Sequence, residues 1–119
     1  MKIKDVAFIA YAVSDVPRAV AFYRDVLGLE EGEKFGDRFI EFNVGSTTLA
    51  LDGDPPPGAE PGKSNGLQFE VDDIAAAREH LLDHNVTVSE VYDFPPCFMC
   101  FAKDPDGNGF ALHERKVRA

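Results

Sequence analysis

The sequence predicts an α+β protein made of two tandem βαβββ modules, each a curved, mostly antiparallel sheet covered by one helix, with the uncovered face forming a cup. Three observations carry this. The chain repeats at an offset of 58 residues, from position 13 to position 71, so that Val13-Ser14-Asp15-Val16 falls on Val71-Asp72-Asp73-Ile74, Ala19 on Ala77 and Tyr23 on Leu81. Each copy closes a strand pattern and opens a helical one, after which runs of alternating apolar and polar residues follow. A proline- and glycine-rich stretch separates the two copies.

In the first copy Val16, Ala19, Val20, Tyr23, Val26 and Leu27 recur at helical spacing. Asp15 is placed to cap this helix, Pro17 is tolerated in its first turn and Gly28 supplies the stop. Strands are then expected over Phe39 to Val44 and Thr47 to Leu51. From Asp52 to Gly62 the chain holds too much proline and glycine for a helix or a central strand. It reads as a solvated connection, with a lid over a pocket as the alternative.

The second copy opens on Leu67, Phe69 and Val71, which face the helix, while Gly66, Gln68 and Glu70 face the cup. Its helix stripe is Ile74, Ala77, Leu81 and Leu82, capped by Asp72 or Asp73 and ended at a left-handed Asn85. Strands are expected over Val86 to Tyr92, Phe98 to Ala102 and Phe110 to Glu114. The modules therefore span about 1–53 and 65–116, joined by a linker at about 53–64 within a single domain of 1–119.

A chain of 119 residues that is 45% hydrophobic can build a core without disulfides or a structural metal. Its 21 acidic and 12 basic residues give a formal charge of −9, which argues against nucleic acid and anionic membranes as partners. Met1-Lys2-Ile3-Lys4-Asp5 lacks the apolar run of a signal peptide, and no stretch approaches the roughly 20 apolar residues of a membrane helix. The expectation is a cytoplasmic protein. Cys97 and Cys100 lie three apart in an extended segment, which separates their Cα atoms by ~10 Å and points them to opposite faces. They are expected as free thiols that share no metal ion.

The run from Val13 to Leu29, VSDVPRAVAFYRDVLGL, resembles the first strand-to-helix segment of the vicinal oxygen chelate superfamily, which includes glyoxalases, bleomycin-resistance proteins and extradiol dioxygenases. Phe101 to Phe110, FAKDPDGNGF, resembles the last hairpin of the same family. Physically, Asp104-Pro105-Asp106-Gly107-Asn108 is a turn, with proline fixing φ, aspartate bonding nearby backbone and glycine accepting positive φ.

Metal-using members place one ligand on the first strand of each module and one near each module's end. The resemblance carries those positions onto Phe8, Ala50, Gly66 and Ala111, none of which offers a ligating side chain. It thus implies a small-molecule-binding protein without a metal, similar to the bleomycin-resistance members. The alternative is a glyoxalase-like lyase or isomerase, or a dioxygenase, using an atypical divalent metal site or metal-free acid-base catalysis. It also implies a homodimer, since the free edges of a curved sheet invite pairing.

The residues expected in the cup are Phe8, as an aromatic wall, with Glu41, Asn43, Gln68, Glu70 and His113 as polar groups reading a ligand. His113 shares a strand face with Ala111, and with Glu70 or Glu41 beside it could serve as a general base. His113 and Glu70 are therefore the catalytic candidates, against the plain alternatives of a hydrogen-bonded structural histidine and a solvated carboxylate at a strand end. His80 and His84 stand four apart on the second helix, outside the cup, and read as surface residues.

Overall fold

The computed structural model describes residues 1–117 and divides into two compact units, residues 1–64 and the segment from Asn65 onward. Each holds one four-stranded mixed sheet and one α-helix.

In the first unit β1 (Ile9–Ala12), α1 (Val16–Ala21), β2 (Glu30–Lys34), β3 (Phe39–Val44) and β4 (Thr47–Asp52) follow in order. The sheet order is β1-β4-β3-β2, with β1 parallel to β4 and the other pairs antiparallel. Asp15 caps α1 by accepting from the Arg18 N–H at 3.1 Å. The predicted helix changes character after Ala21, since Phe22–Val26 forms a π-turn in which the Leu27 N–H reaches the Phe22 carbonyl at 3.0 Å. Phe22 and Tyr23, the first two residues of that turn, are both buried. Gly28, at φ 74°, then ends the segment.

Period-two alternation fixes the two faces of this sheet. Tyr11, Val13, Ile40, Phe42, Leu49 and Leu51 are buried, and Tyr23 meets Phe42 at 6.4 Å between ring centroids on this helix-covered side. A fully buried side chain of that size contributes about 1.5–3 kcal/mol over an exposed one. The proline- and glycine-rich stretch that closes the first unit is turned and anchored. Arg38 holds the Gly53 carbonyl and Asp54, and the Ser64 hydroxyl accepts from the Ala12 N–H at 3.1 Å.

The second unit runs β5 (Leu67–Glu70), α2 (Ile74–Asp83), β6 (Tyr92–Asp93), β7 (Cys97–Lys103) and β8 (Gly109–Arg115), in sheet order β5-β8-β7-β6. Again the first strand lies parallel to the last. Of the two capping candidates the structure uses Asp73, which accepts from the Ala76 N–H at 3.1 Å. Glu114 reaches from β8 to the Ile74 N–H at 2.9 Å, tying the first turn of α2 to the sheet beneath it. Asn85 takes φ 59° after the helix, as its sequence position predicts.

Two strand expectations are corrected. The segment Val86 to Tyr92 is not one strand: Val88 makes a single bridge to Ala102, and a regular pair begins only at Tyr92. Ser89 replaces the ladder there, its N–H donating to the Phe101 carbonyl and its hydroxyl accepting from the Phe101 N–H. Its own carbonyl is taken by Arg78. Conversely, β2 was not expected, because Glu30-Glu31-Gly32-Glu33-Lys34 has no apolar alternation to read. Ladder bonds to β3 and an edge position, where charged side chains stay in water, suffice to hold it.

Candidate functional site

The strand registers put Glu41, Asn43, Gln68, Glu70 and His113 on the face opposite the helix of their own sheets. In the first unit Glu41 pairs with Ala50, Ala50 with Ala10, and Asn43 with Thr48. Phe8 lies one residue ahead of β1 and meets Phe39 edge to face at 5.5 Å. Asn43 donates to Glu30 across the β2–β3 pair at 3.2 Å, a partner the sequence did not suggest because β2 was unread. Ala50 is wholly buried at the centre of this face.

In the second unit the open face carries Gln68 and Glu70 from β5, Ala111, His113 and Arg115 from β8, and Met99, Phe101 and Lys103 from β7, with Gln68 beside Ala111 and Glu70 beside His113. A pocket of about 240 Å³ opens on this face. Gln68, Phe101, Lys103 and Ala111 line it, with Gly66 at its rim. Its walls are mainly apolar, and Tyr92 continues the aromatic surface, 5.9 Å from Phe101 between centroids. Sequence reasoning missed Phe101 and Lys103. The signal was present, since both alternate with the buried Cys100 and Ala102 along β7.

Glu70 and His113 are one alternation step further along the same two strands, ~7 Å from the pocket-lining Gln68 and Ala111. They are joined. His113 Nδ1 lies 2.5 Å from Glu70 Oε1, and the Arg115 backbone N–H donates to Glu70 Oε2 at 2.8 Å. That backbone bond is the largest effect and outweighs the opposing effect of burial, and with the lesser bond and charge of His113 it holds the Glu70 carboxyl below the usual carboxylate range. An ionised carboxylate only accepts, so the imidazole donates through Nδ1, and an uncharged ring carries its proton there. The His113 side chain is 18% exposed and the Glu70 side chain 56%. The pair is therefore half in water, and its bond is worth little to stability.

Cys97 and Cys100 are buried free thiols on opposite faces of β7 by register, Cys97 beside Arg115 and Cys100 beside Leu112. Burial pushes the Cys100 thiol up, away from reactivity. The His80 and His84 rings lie tilted to one another, 4.4 Å apart between centroids, at the C-terminal end of α2.

The residues from 5 to 112 match the profile of the glyoxalase/bleomycin resistance protein/dioxygenase superfamily. The chain belongs to this superfamily. Among solved structures, an antibiotic-binding protein from Streptomyces sp. CB03234, TnmS3, is 27% identical with a TM-score of 0.86, over 98% of this chain and 99% of that one. A glyoxalase/bleomycin resistance protein from the same Streptomyces is 27% identical with a TM-score of 0.78, over 88% and 96%. A lactoylglutathione lyase from Agrobacterium tumefaciens, at 24% identity, TM-score 0.77 and 95% of each chain, shares the fold. No functionally curated protein matches the sequence.

For a superfamily that includes metal enzymes the donor set decides whether a metal fits. Phe8, Ala50, Gly66 and Ala111 provide no donor atom in their side chains. Gly66 adopts φ 103°, a backbone conformation that a ligating side chain there would strain. Among the described residues no three His, Cys, Asp or Glu side chains are grouped to hold an ion. The residues present do not fit a metal held in the superfamily's manner.

Proposed function

We propose that this superfamily member binds a small, mainly apolar molecule on the open face of its second sheet, without a metal. The observation that carries the reading is the pocket itself. Gly66 and Ala111, at two of the positions where metal-using members carry ligands, leave room for a pocket of about 240 Å³ that is apolar apart from a few placed groups. The likeness to an antibiotic-binding protein supports a binding role over a catalytic one. Phe8, Glu41 and Asn43 belong to the same reading as the corresponding face of the first sheet.

The protein is proposed to act in the cytoplasm as a homodimer that does not bind nucleic acid. The charge of −9 supports the last point, and the exposed edges of both sheets support the pairing. Among the described residues no helix is long and apolar enough to cross a membrane. Light scattering at micromolar concentration checks the assembly, and a mass near 13.1 kDa would remove it.

The binding reading is tested by filling the pocket. Ala111→Leu projects a branched side chain into the space beside Gln68 and Phe101, and is expected to weaken uptake of an apolar fluorescent probe such as 2-naphthol at least about tenfold. Unchanged uptake in a folded Ala111→Leu protein would place the binding site elsewhere.

A further inference from the structure

The Glu70–His113 pair is more than a salt bridge at the end of a strand, because its geometry leaves the imidazole with one defined capability. With Nδ1 donating to a carboxylate, His113 in its uncharged form presents Nε2 as an acceptor. Among the described residues no hydrogen bond to Nε2 is formed. The carboxylate is itself held on both oxygens, by His113 and by the Arg115 N–H, so it cannot swing away without breaking two bonds. Around His113, the same face carries Ala111 and Arg115 on its own strand, Glu70 on β5 and Met99 on β7, and the pocket begins at Ala111.

We infer that the Glu70–His113 pair is a specificity device, in which His113 Nε2 accepts a hydrogen bond from an O–H or N–H carried at one end of an apolar, ring-bearing ligand seated in the adjoining pocket. The inference rests on the proposed binding function and adds the ligand's chemical class, a hydroxylated or amino-substituted ring compound. The spacing suits it. About 7 Å separates the pocket floor at Ala111 from His113 along β8, a distance that a molecule of two fused rings spans. The lowered titration range of Glu70 supports the assignment, since the carboxylate stays an acceptor and fixes the tautomer of the uncharged ring.

Two measurements test it. Ring ¹⁵N–¹H spectra at about pH 8.5, above the ordinary imidazole range, are expected to show His113 protonated on Nδ1. Titration with 2-naphthol and with 2-methoxynaphthalene, which lacks the O–H, is expected to show a preference of about tenfold for the hydroxyl compound, the worth of one hydrogen bond. His113→Phe should abolish that preference while leaving 2-methoxynaphthalene binding in place. Glu70→Gln tests the carboxylate separately. Its amide can accept from the Arg115 N–H while donating to Nδ1, which moves the ring proton to Nε2 and should erase or invert the preference.

Equal binding of both compounds, unaltered by His113→Phe, would overturn the specificity device and leave the pocket reading intact. Binding of neither compound would overturn the pocket reading for ring ligands and this inference with it. A wild-type ring protonated on Nε2 would overturn the inference whatever the binding data.

Discussion

Removing the Asp104 carboxylate should destabilise the second unit by an amount that can be worked from its bonds. Asp104 and Asn108 are the buried polar residues among those described, and they lie at the base of the β7–β8 turn whose flanking residues, Lys103 and Gly109, line the pocket. Asp104 Oδ1 accepts from the Asp106 and Asn108 backbone N–H groups, each at 2.9 Å, and Oδ2 accepts from Asn108 Nδ2 at 2.9 Å. In Asp104→Ala, water can reach the half-buried Asp106, but two buried hydrogen bonds from Asn108 to the carboxylate are lost. At about 1.5–3 kcal/mol for a hydrogen bond to a charged group, the loss should be near 3 kcal/mol. For a domain of this size that is a fall in Tm of roughly 10–15 °C. Asp104→Asn keeps one oxygen for the two backbone N–H groups and sacrifices the Asn108 side-chain bond, so about half of the loss is expected. Urea unfolding of the three proteins provides the measurement. A loss below about 1 kcal/mol in Asp104→Ala would show that the buried amide finds other partners and that the turn does not depend on this carboxylate.

Two further outcomes follow from the same structure. The purified protein should hold no stoichiometric transition metal by elemental analysis, and titration with nickel, manganese and zinc should give weak binding, because Glu70 and His113 supply at most two protein ligands. One tightly held ion per chain, lost in Glu70→Gln or His113→Phe, would end the metal-free reading, whereas weak zinc binding abolished by replacing His80 and His84 would leave it standing. The second concerns acid. Glu70 titrates lower in the folded chain than in the unfolded one, so its contribution to stability is present above the unfolded carboxylate range, near pH 4.3, and is lost as pH falls through the folded value. Glu70→Gln should therefore flatten the acid side of the stability profile, by less than about 1 kcal/mol for so exposed a pair. Coincident profiles down to pH 3 would show that the carboxylate is not stabilised in the folded state.

The architecture was legible in the sequence because the repeat, the helix caps and the alternation are local statements about backbone geometry. Asp15, Gly28, Asn85 and the Asp104 to Asn108 turn behave as their chemistry dictates, each satisfying or freeing backbone groups within a few residues. Alternation likewise assigned Gln68, Glu70, Ala111 and His113 to one face, since a pleated strand leaves no other choice. Where tertiary contacts overruled local pattern the sequence was silent. Charged Glu30 to Lys34 became a strand only through ladder bonds to β3, the apolar run after Val86 lost its regularity to Ser89 and Arg78, and the helix opened into a π-turn after Ala21.

For the candidate site the division is sharper. The sequence by itself determined which donors are missing, because a phenylalanine, two alanines and a glycine lack ligating atoms in any fold. It could not determine that Glu70 and His113 touch. They are 43 residues apart, and their contact exists because β5 lies parallel to β8 in a register that puts the two side by side, while the Arg115 N–H fixes the carboxylate between them. Pairing register is a cooperative property of the whole sheet, set by where the buried Phe110 and Leu112 settle against α2 and their strand neighbours. Only the tertiary structure therefore decided that a carboxylate, an imidazole and an apolar pocket adjoin one another on a single face.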